Sequence, residues 1–272
     1  MASRYGPTLE GSRSPTGALL VGCVLLAAVV ALLVGGAAPT ALGLALFVAG
    51  LAHGAGDEGG GRIRQFTLIH AAAYLIVGAA VTFLFLVAPL AALAMFLILS
   101  AWHFARDGAG SEPVARLAIA LLAVGGSAVF RPAETAALFD LVLGIGTPAI
   151  FMRAVAAAGV AGVGLGLFAI VRARDNLAPI ALAIASVALF PPVLGVALVF
   201  LLCHALPVQR RQIETYGMAA FRKAVALPVM LASAGAILLA AACLAGFLSV
   251  PLAAAIAFGL ATPHMLTERL DH

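Results

Sequence analysis

From Thr16 onward the chain is a succession of long apolar runs separated by short polar breaks. The runs show neither period-2 alternation nor a single amphipathic stripe. Runs of about 18 or more apolar residues predict membrane-spanning helices. A transmembrane barrel would instead show alternating segments of roughly 10 residues. Within lipid every backbone polar group needs an internal partner, and a helix supplies one for each. The pattern therefore predicts an all-α, polytopic integral membrane bundle of roughly 8–10 transmembrane segments. They fall at about 17–37, 41–55, 66–87, 89–105, 114–131, 148–171, 177–190, 191–206, 225–247 and 251–268. The stretch 132–147, with Glu134 and Asp140, reads as an interfacial helix. Residues 1–15 are polar and rich in Gly, Pro and Ser, and read as a disordered cytoplasmic tail; residues 16–272 read as a single transmembrane helical domain.

The run 177–206 is too long for one crossing, since thirty helical residues extend about 45 Å. Pro191 and Pro192 stand in its middle, and proline interrupts a helix interior. Two short segments meeting near Pro191 are expected. Charge supports the same division. With the N-terminus inside, pairs of crossings return the chain to Arg62 and Arg64, to Arg106 and Arg116, and to Arg172 and Arg174. The next basic loop holds Arg210, Arg211, Arg222 and Lys223, and the last pair returns Arg269. Only splitting 177–206 keeps all these groups on the cytoplasmic face, as the positive-inside rule requires.

Composition closes off other classes. The chain is 64% hydrophobic and 10% charged, where soluble domains carry about 25% charge. The net charge of +4 resides in short loops, so it points to membrane orientation and not to nucleic acid. Cys23, Cys203 and Cys243 lie in apolar runs without close spacing, which implies neither a disulfide framework nor a thiolate metal site. The first run, Thr16–Ala38, exceeds the usual apolar core of a signal peptide and reads as an anchor.

The histidines change the picture. His53, His70, His103, His204 and His264 fall on different segments, all at the cytoplasmic level of this topology; His272 is the last residue. Ionisable groups at membrane depth are costly and face the protein interior or a wet cavity. Neutral imidazole suits iron, copper and zinc, and helical bundles assemble metal sites from facing helices. The candidate ligands are His53, His103, His204 and His264. Asp57 and Asp107 each follow a histidine by four residues, one helical turn on, and are candidates to orient the rings by hydrogen bonding. His70 has apolar neighbours and no nearby carboxylate, and reads as a structural histidine. No P-loop, nucleophile elbow, H-E-x-x-H or C-x-x-C motif occurs. The only lysine, Lys223, lies in the basic loop, which excludes a retinal Schiff base within the bundle. Paired histidines also suit haem, so a haem-type membrane oxidoreductase stays open at this point.

Four local blocks resemble the Brp/Blh family of bacterial and archaeal membrane β-carotene 15,15'-dioxygenases. They are His53-Gly54-Ala55-Gly56-Asp57, Ser100-Ala101-Trp102-His103-Phe104, Cys203-His204-Ala205-Leu206-Pro207-Val208 and Pro263-His264-Met265-Leu266, in order over residues 50–270. The resemblance implies a non-haem Fe(II) enzyme of the cell (inner) membrane with its N-terminus in the cytoplasm. Such an enzyme takes a carotenoid from the lipid phase and cleaves its central double bond with O2 to give retinal. Phe66, Phe83, Phe85, Phe96 and Phe104 are candidates to line a tunnel for the polyene, although packing or lipid contact is the more ordinary role for such residues. The third block departs from the family, which has a second histidine where this chain has Val208. Valine cannot bind a metal. Either His264 or water then completes the ligand set, or the chain is an inactive relative that binds a carotenoid or retinal without cutting it.

Overall fold

A computed structural model describes residues 15–55, 58–59, 62–63, 68–107 and 112–267. The helices are α1 (Pro15–Val34), α2 (Ala38–Gly50), α3 (Ala52–Ala55), α4 (Leu68–Val87), α5 (Pro89–Asp107), α6 (Pro113–Phe130) and α7 (Pro132–Leu143). They continue as α8 (Ala149–Arg172), α9 (Leu177–Leu189), α10 (Pro192–Leu198), α11 (Leu206–Tyr216), α12 (Met218–Leu244) and α13 (Val250–Thr267). A two-rung antiparallel ladder, Glu58–Gly59 with Arg62–Ile63, lies between α3 and α4. The bundle is therefore all-α in architecture. Among the described residues, five helices of 18 residues or more are apolar enough to cross a bilayer, and five shorter apolar helices accompany them. This is a multi-pass membrane protein.

Most reversals fall where proline or glycine demands them. Helix α9 ends at Leu189, Phe190 is extended (φ −105°, ψ 153°), and α10 starts at Pro192. The long run is split at Pro191, as its length and charge require. Pro39, Pro113, Pro132 and Pro192 stand in the first turns of α2, α6, α7 and α10, where a missing N–H costs no helical bond. Helix α7 carries Glu134 paired to Arg131 at 2.6 Å, and Asp140 accepts the Thr147 amide at 2.6 Å. This is the helix expected over 132–147.

The region taken for a basic loop has a different form. A π-helical stretch, Val199–Ala205, joins α10 directly to α11, so one rod runs Pro192–Tyr216. Arg210 and Arg211 are helical on α11, and Arg222 and Lys223 lie in the first turns of α12. Only Gly217 separates the two helices, at φ 84°, a left-handed conformation open chiefly to glycine. Pro207 explains the rod's form. It has no N–H for the Cys203 carbonyl, and its ring would press on that carbonyl in a regular helix. Widening the preceding turn to π geometry removes the clash without breaking the rod.

The rod Pro192–Tyr216 and α6 are the most enclosed spans. Helix α6 packs on α5, α8 and α9; α4 packs on α13, and α2 on α10. The α6–α8 crossing is the tightest. A methyl group on Gly159 would fall on the Gly125 carbonyl, and one on Gly125 would fall on the Val155 carbonyl. Small residues let backbones approach where lipid supplies no hydrophobic drive between helices. From Leu227 to its end, α12 carries no buried residue, and Leu231, Ile237, Leu238 and Leu244 are exposed. Such a surface suits hydrocarbon and not water.

Candidate metal centre

Four helices that follow tight reversals carry the site. His53, His103, His204 and His264 lie 15, 14, 12 and 14 residues beyond the first residues of α2, α5, α10 and α13. At 1.5 Å per residue each is about 18–23 Å along its path, less than the roughly 30 Å thickness of a hydrocarbon slab. His204 was expected to end its segment. Because the rod continues through α11, it stands near mid-rod, in the π stretch.

The rings converge. His53 Nε2 lies 3.5 Å from His103 Nε2, and His204 Nε2 lies 3.3 Å from the same atom. One ring nitrogen from each of His53, His103 and His204 lies within 4.8 Å of the other two. All three histidines are buried, at 5%, 2% and 1% exposure. His264 stands edge-on to both His53 and His103, with ring centroids 5.1 and 4.9 Å away. The four sequence-predicted ligands thus occupy one place. His70 belongs to the start of α4, with its side chain outside the described residues. Asp57, Phe66 and His272 also lie outside them, as does the side chain of Asp107.

The spacing fits a metal. Two imidazole nitrogens about 2.1 Å from one ion, at a roughly tetrahedral angle, stand about 3.4 Å apart. The observed separations of 3.3 and 3.5 Å bracket that value. A shared cation would take one lone pair from each neutral imidazole at a common point. No Asp, Glu, Lys or Arg is among the buried residues described. The candidate donor set is therefore all nitrogen and neutral, which suits iron, copper or zinc better than a hard cation.

Local structure aims each ring. The His53 Nδ1–H donates to the Gly50 carbonyl at 2.6 Å, which fixes the tautomer and leaves Nε2 for the centre. The Gln209 amide donates to the same carbonyl at 3.4 Å, and the Gln212 amide to the His53 carbonyl at 3.2 Å. Ser100, one turn before His103, donates to Met265 Sδ at 3.6 Å and ties α5 to the segment holding His264. Phe104 packs on His204 with 4.5 Å between ring centroids, and Phe200 stands edge-on to His53 at 5.3 Å. Phe47 lies 5.4 Å beyond Phe200. These three phenylalanines wall one side of the cluster. Of the described phenylalanines proposed from sequence, only Phe104 belongs there. Phe85 and Phe96 pack on Phe258 in a separate core, and Phe83 is 64% exposed.

Gly54 is equally necessary. A Cβ at this position would overlap the His264 ring. Gly54→Ala is expected to push His264 out of the cluster while leaving His53, His103 and His204 in place. Metal affinity measured by titration of the purified protein should fall by about 10-fold or more. Unchanged affinity would show that His264 is not needed at the centre.

Comparison with known proteins adds one finding. A family model described as BCD, Beta-carotene 15,15'-dioxygenase, matches residues 44–270. The match contains all four histidines and every helix from the second half of α2 to the end of α13. No curated protein and no solved structure matches the chain.

Proposed function

Because the chain belongs to the beta-carotene 15,15'-dioxygenase family, we propose that it is a membrane non-haem iron oxygenase that cleaves β-carotene or a related carotenoid at the central double bond with O2, giving retinal. The observation that carries this reading is the convergence of three buried imidazoles, with a fourth against them, inside an apolar bundle. His53, His103, His204 and His264 would hold Fe(II). Iron in such a site supplies the one-electron chemistry that lets O2 react with a closed-shell alkene. Both oxygen atoms end as the two aldehydes, so a symmetric cleavage consumes no external reductant and needs no proton.

The chain's own residues then have three tasks. Burial of the histidines keeps bulk water from the reacting centre. Gly50, Gln209 and Gln212 hold His53 in orientation. Phe104, Phe200 and Phe47 present aromatic surface beside the imidazoles, where a planar polyene can lie. The substrate reaches the site from lipid, its natural solvent. On this reading residues 1–15 would form a cytoplasmic tail, residues 16–272 one transmembrane domain, and the host membrane would be a bacterial or archaeal cell membrane. Haem is the weaker reading. Nitrogens 3.3–3.5 Å apart, with four rings around one point, leave no slot for a porphyrin.

Val208 motivates the second reading, a carotenoid or retinal binder that does not cut. Purified protein supplied with Fe(II), O2 and β-carotene is expected to yield retinal, read by chromatography. A bound polyene whose visible spectrum persists without aldehyde formation would establish the binder instead. Val208 is buried one turn after His204. Val208→His therefore adds an imidazole beside the cluster, and iron retention through dialysis should rise by about 10-fold. No gain would show that His264 already fills the role.

A further inference from the structure

We propose that Gln209 and Gln212 are positioning residues, and that the rod Pro192–Tyr216 acts as a single gauge setting the spacing between two ligands of the centre. This inference rests on the metal-site reading above. The rod carries His204 in its π stretch. Two turns further on, its Gln212 side chain, 3% exposed, donates to the backbone carbonyl of His53 itself. Gln209, three residues earlier and on the same face, donates to the Gly50 carbonyl. That carbonyl also accepts the His53 Nδ1–H.

The arrangement has two consequences. First, α2 ends at Gly50 and α3 begins at Ala52, so the carbonyls around this corner lose regular helical partners. Gln209 and Gln212 supply donors to them and fasten the corner to the rod. Other helices are also joined by single polar contacts, as Thr82 is to the Ala255 carbonyl and Ser100 to Met265, whereas this corner is tied to the rod by two amides that act on the turn carrying His53. Second, two donors on the Gly50 carbonyl fix where its oxygen lies. His53 follows that oxygen through its Nδ1–H, so the direction of Nε2 depends on Gln209 without direct contact. A change in either glutamine therefore alters His53 relative to His204 while leaving both ligands present. Outer hydrogen-bonding partners of metal-bound histidines commonly control affinity by 10–100-fold.

The test uses the full chain, purified in detergent and stripped of metal, with Co(II) as the probe. Its visible absorption reports coordination number and geometry. Wild type, Gln212→Leu, Gln212→Asn and Gln209→Leu are titrated, and the unfolding temperature of each is recorded without and with Co(II). Gln212→Leu keeps the side-chain volume and removes the amide; it is expected to weaken Co(II) binding by about 10–100-fold and to shift the absorption spectrum. The metal-free unfolding temperature should fall only by what one lost buried hydrogen bond costs, while the stabilisation produced by Co(II) shrinks in addition. Gln209→Leu should do the same to a smaller degree. Gln212→Asn, too short to reach His53 unless the backbone moves, should resemble Gln212→Leu. Equal affinity and an identical spectrum in all variants would overturn the proposal. So would a loss of metal-free stability that accounts for the whole loss of affinity, because that marks a purely structural role. If wild type itself fails to bind Co(II), the metal-site reading falls first.

Discussion

Replacing His103 with alanine should empty the metal centre. His103 is the hub of the cluster: its Nε2 faces the Nε2 of both His53 and His204, and its ring contacts His264. The other three imidazoles then lack the partner that fixes their common point. Metal affinity is expected to fall by more than about 100-fold, beyond the range seen when only outer partners are removed, and retinal formation should become undetectable. The same substitution leaves a cavity in a site that is 2% exposed, so a moderate loss of stability is also expected. Metal analysis beside the helical circular dichroism of the purified variant separates these effects. Full helicity with metal lost places His103 in the centre, whereas a helical protein that retains metal would remove it.

The second large effect concerns the scaffold. Gly159→Leu should drive α8 away from α6. Its side chain would have to enter the space occupied by the Gly125 carbonyl, and backbone cannot turn aside as a flexible side chain can. Overpacking typically costs about 1–3 kcal/mol, and a backbone clash at the tightest crossing belongs at or above the upper end. We expect loss of expression or a clearly lowered unfolding temperature. Gly164→Leu on the same helix is the control, since a Cβ there meets nothing within 4 Å. Equal behaviour of the two variants would mean that the α6–α8 approach is not needed for stability.

Much of this architecture is legible in the sequence, for identifiable reasons. Hydropathy runs locate the spans because lipid forces helices on any chain that crosses it. Pro191 and Pro192 with the basic groups divide the long run correctly, since length, proline chemistry and charge make the same demand. The four ligand candidates are legible because polar residues at membrane depth are rare and conspicuous.

The parts that sequence does not disclose depend on local compensation. Pro207 after His204 reads as a helix end, yet the π stretch absorbs the proline and the helix continues to Tyr216. No rule of composition announces that widening. It also converts the expected basic loop into helix and moves His204 from a helix end to mid-rod. Gly54 stands in a recognisable block, but its clearance for His264 appears only when α13 is in place. Gln209 and Gln212 carry one faint signal, two amides three residues apart on one face just beyond a ligand. Their acceptors, Gly50 and His53, are 159 residues away in sequence. The Phe200 ring lies where a Gly50 side chain would be, a pairing equally remote in sequence. Phe83, Phe85 and Phe96 were grouped by residue type, and their helical register sends them to lipid or to a second core.

X-ray absorption at the iron edge of the purified, Fe(II)-loaded protein tests the proposed centre most directly, because it reads the ligand atoms themselves. We expect about one iron per chain, nitrogen neighbours near 2.1 Å and the outer-shell scattering of several imidazole rings, reduced by one ring in His264→Ala. Iron that does not bind, or that is held with no imidazole scattering, would contradict the assignment of the His53, His103, His204 and His264 cluster as the metal centre.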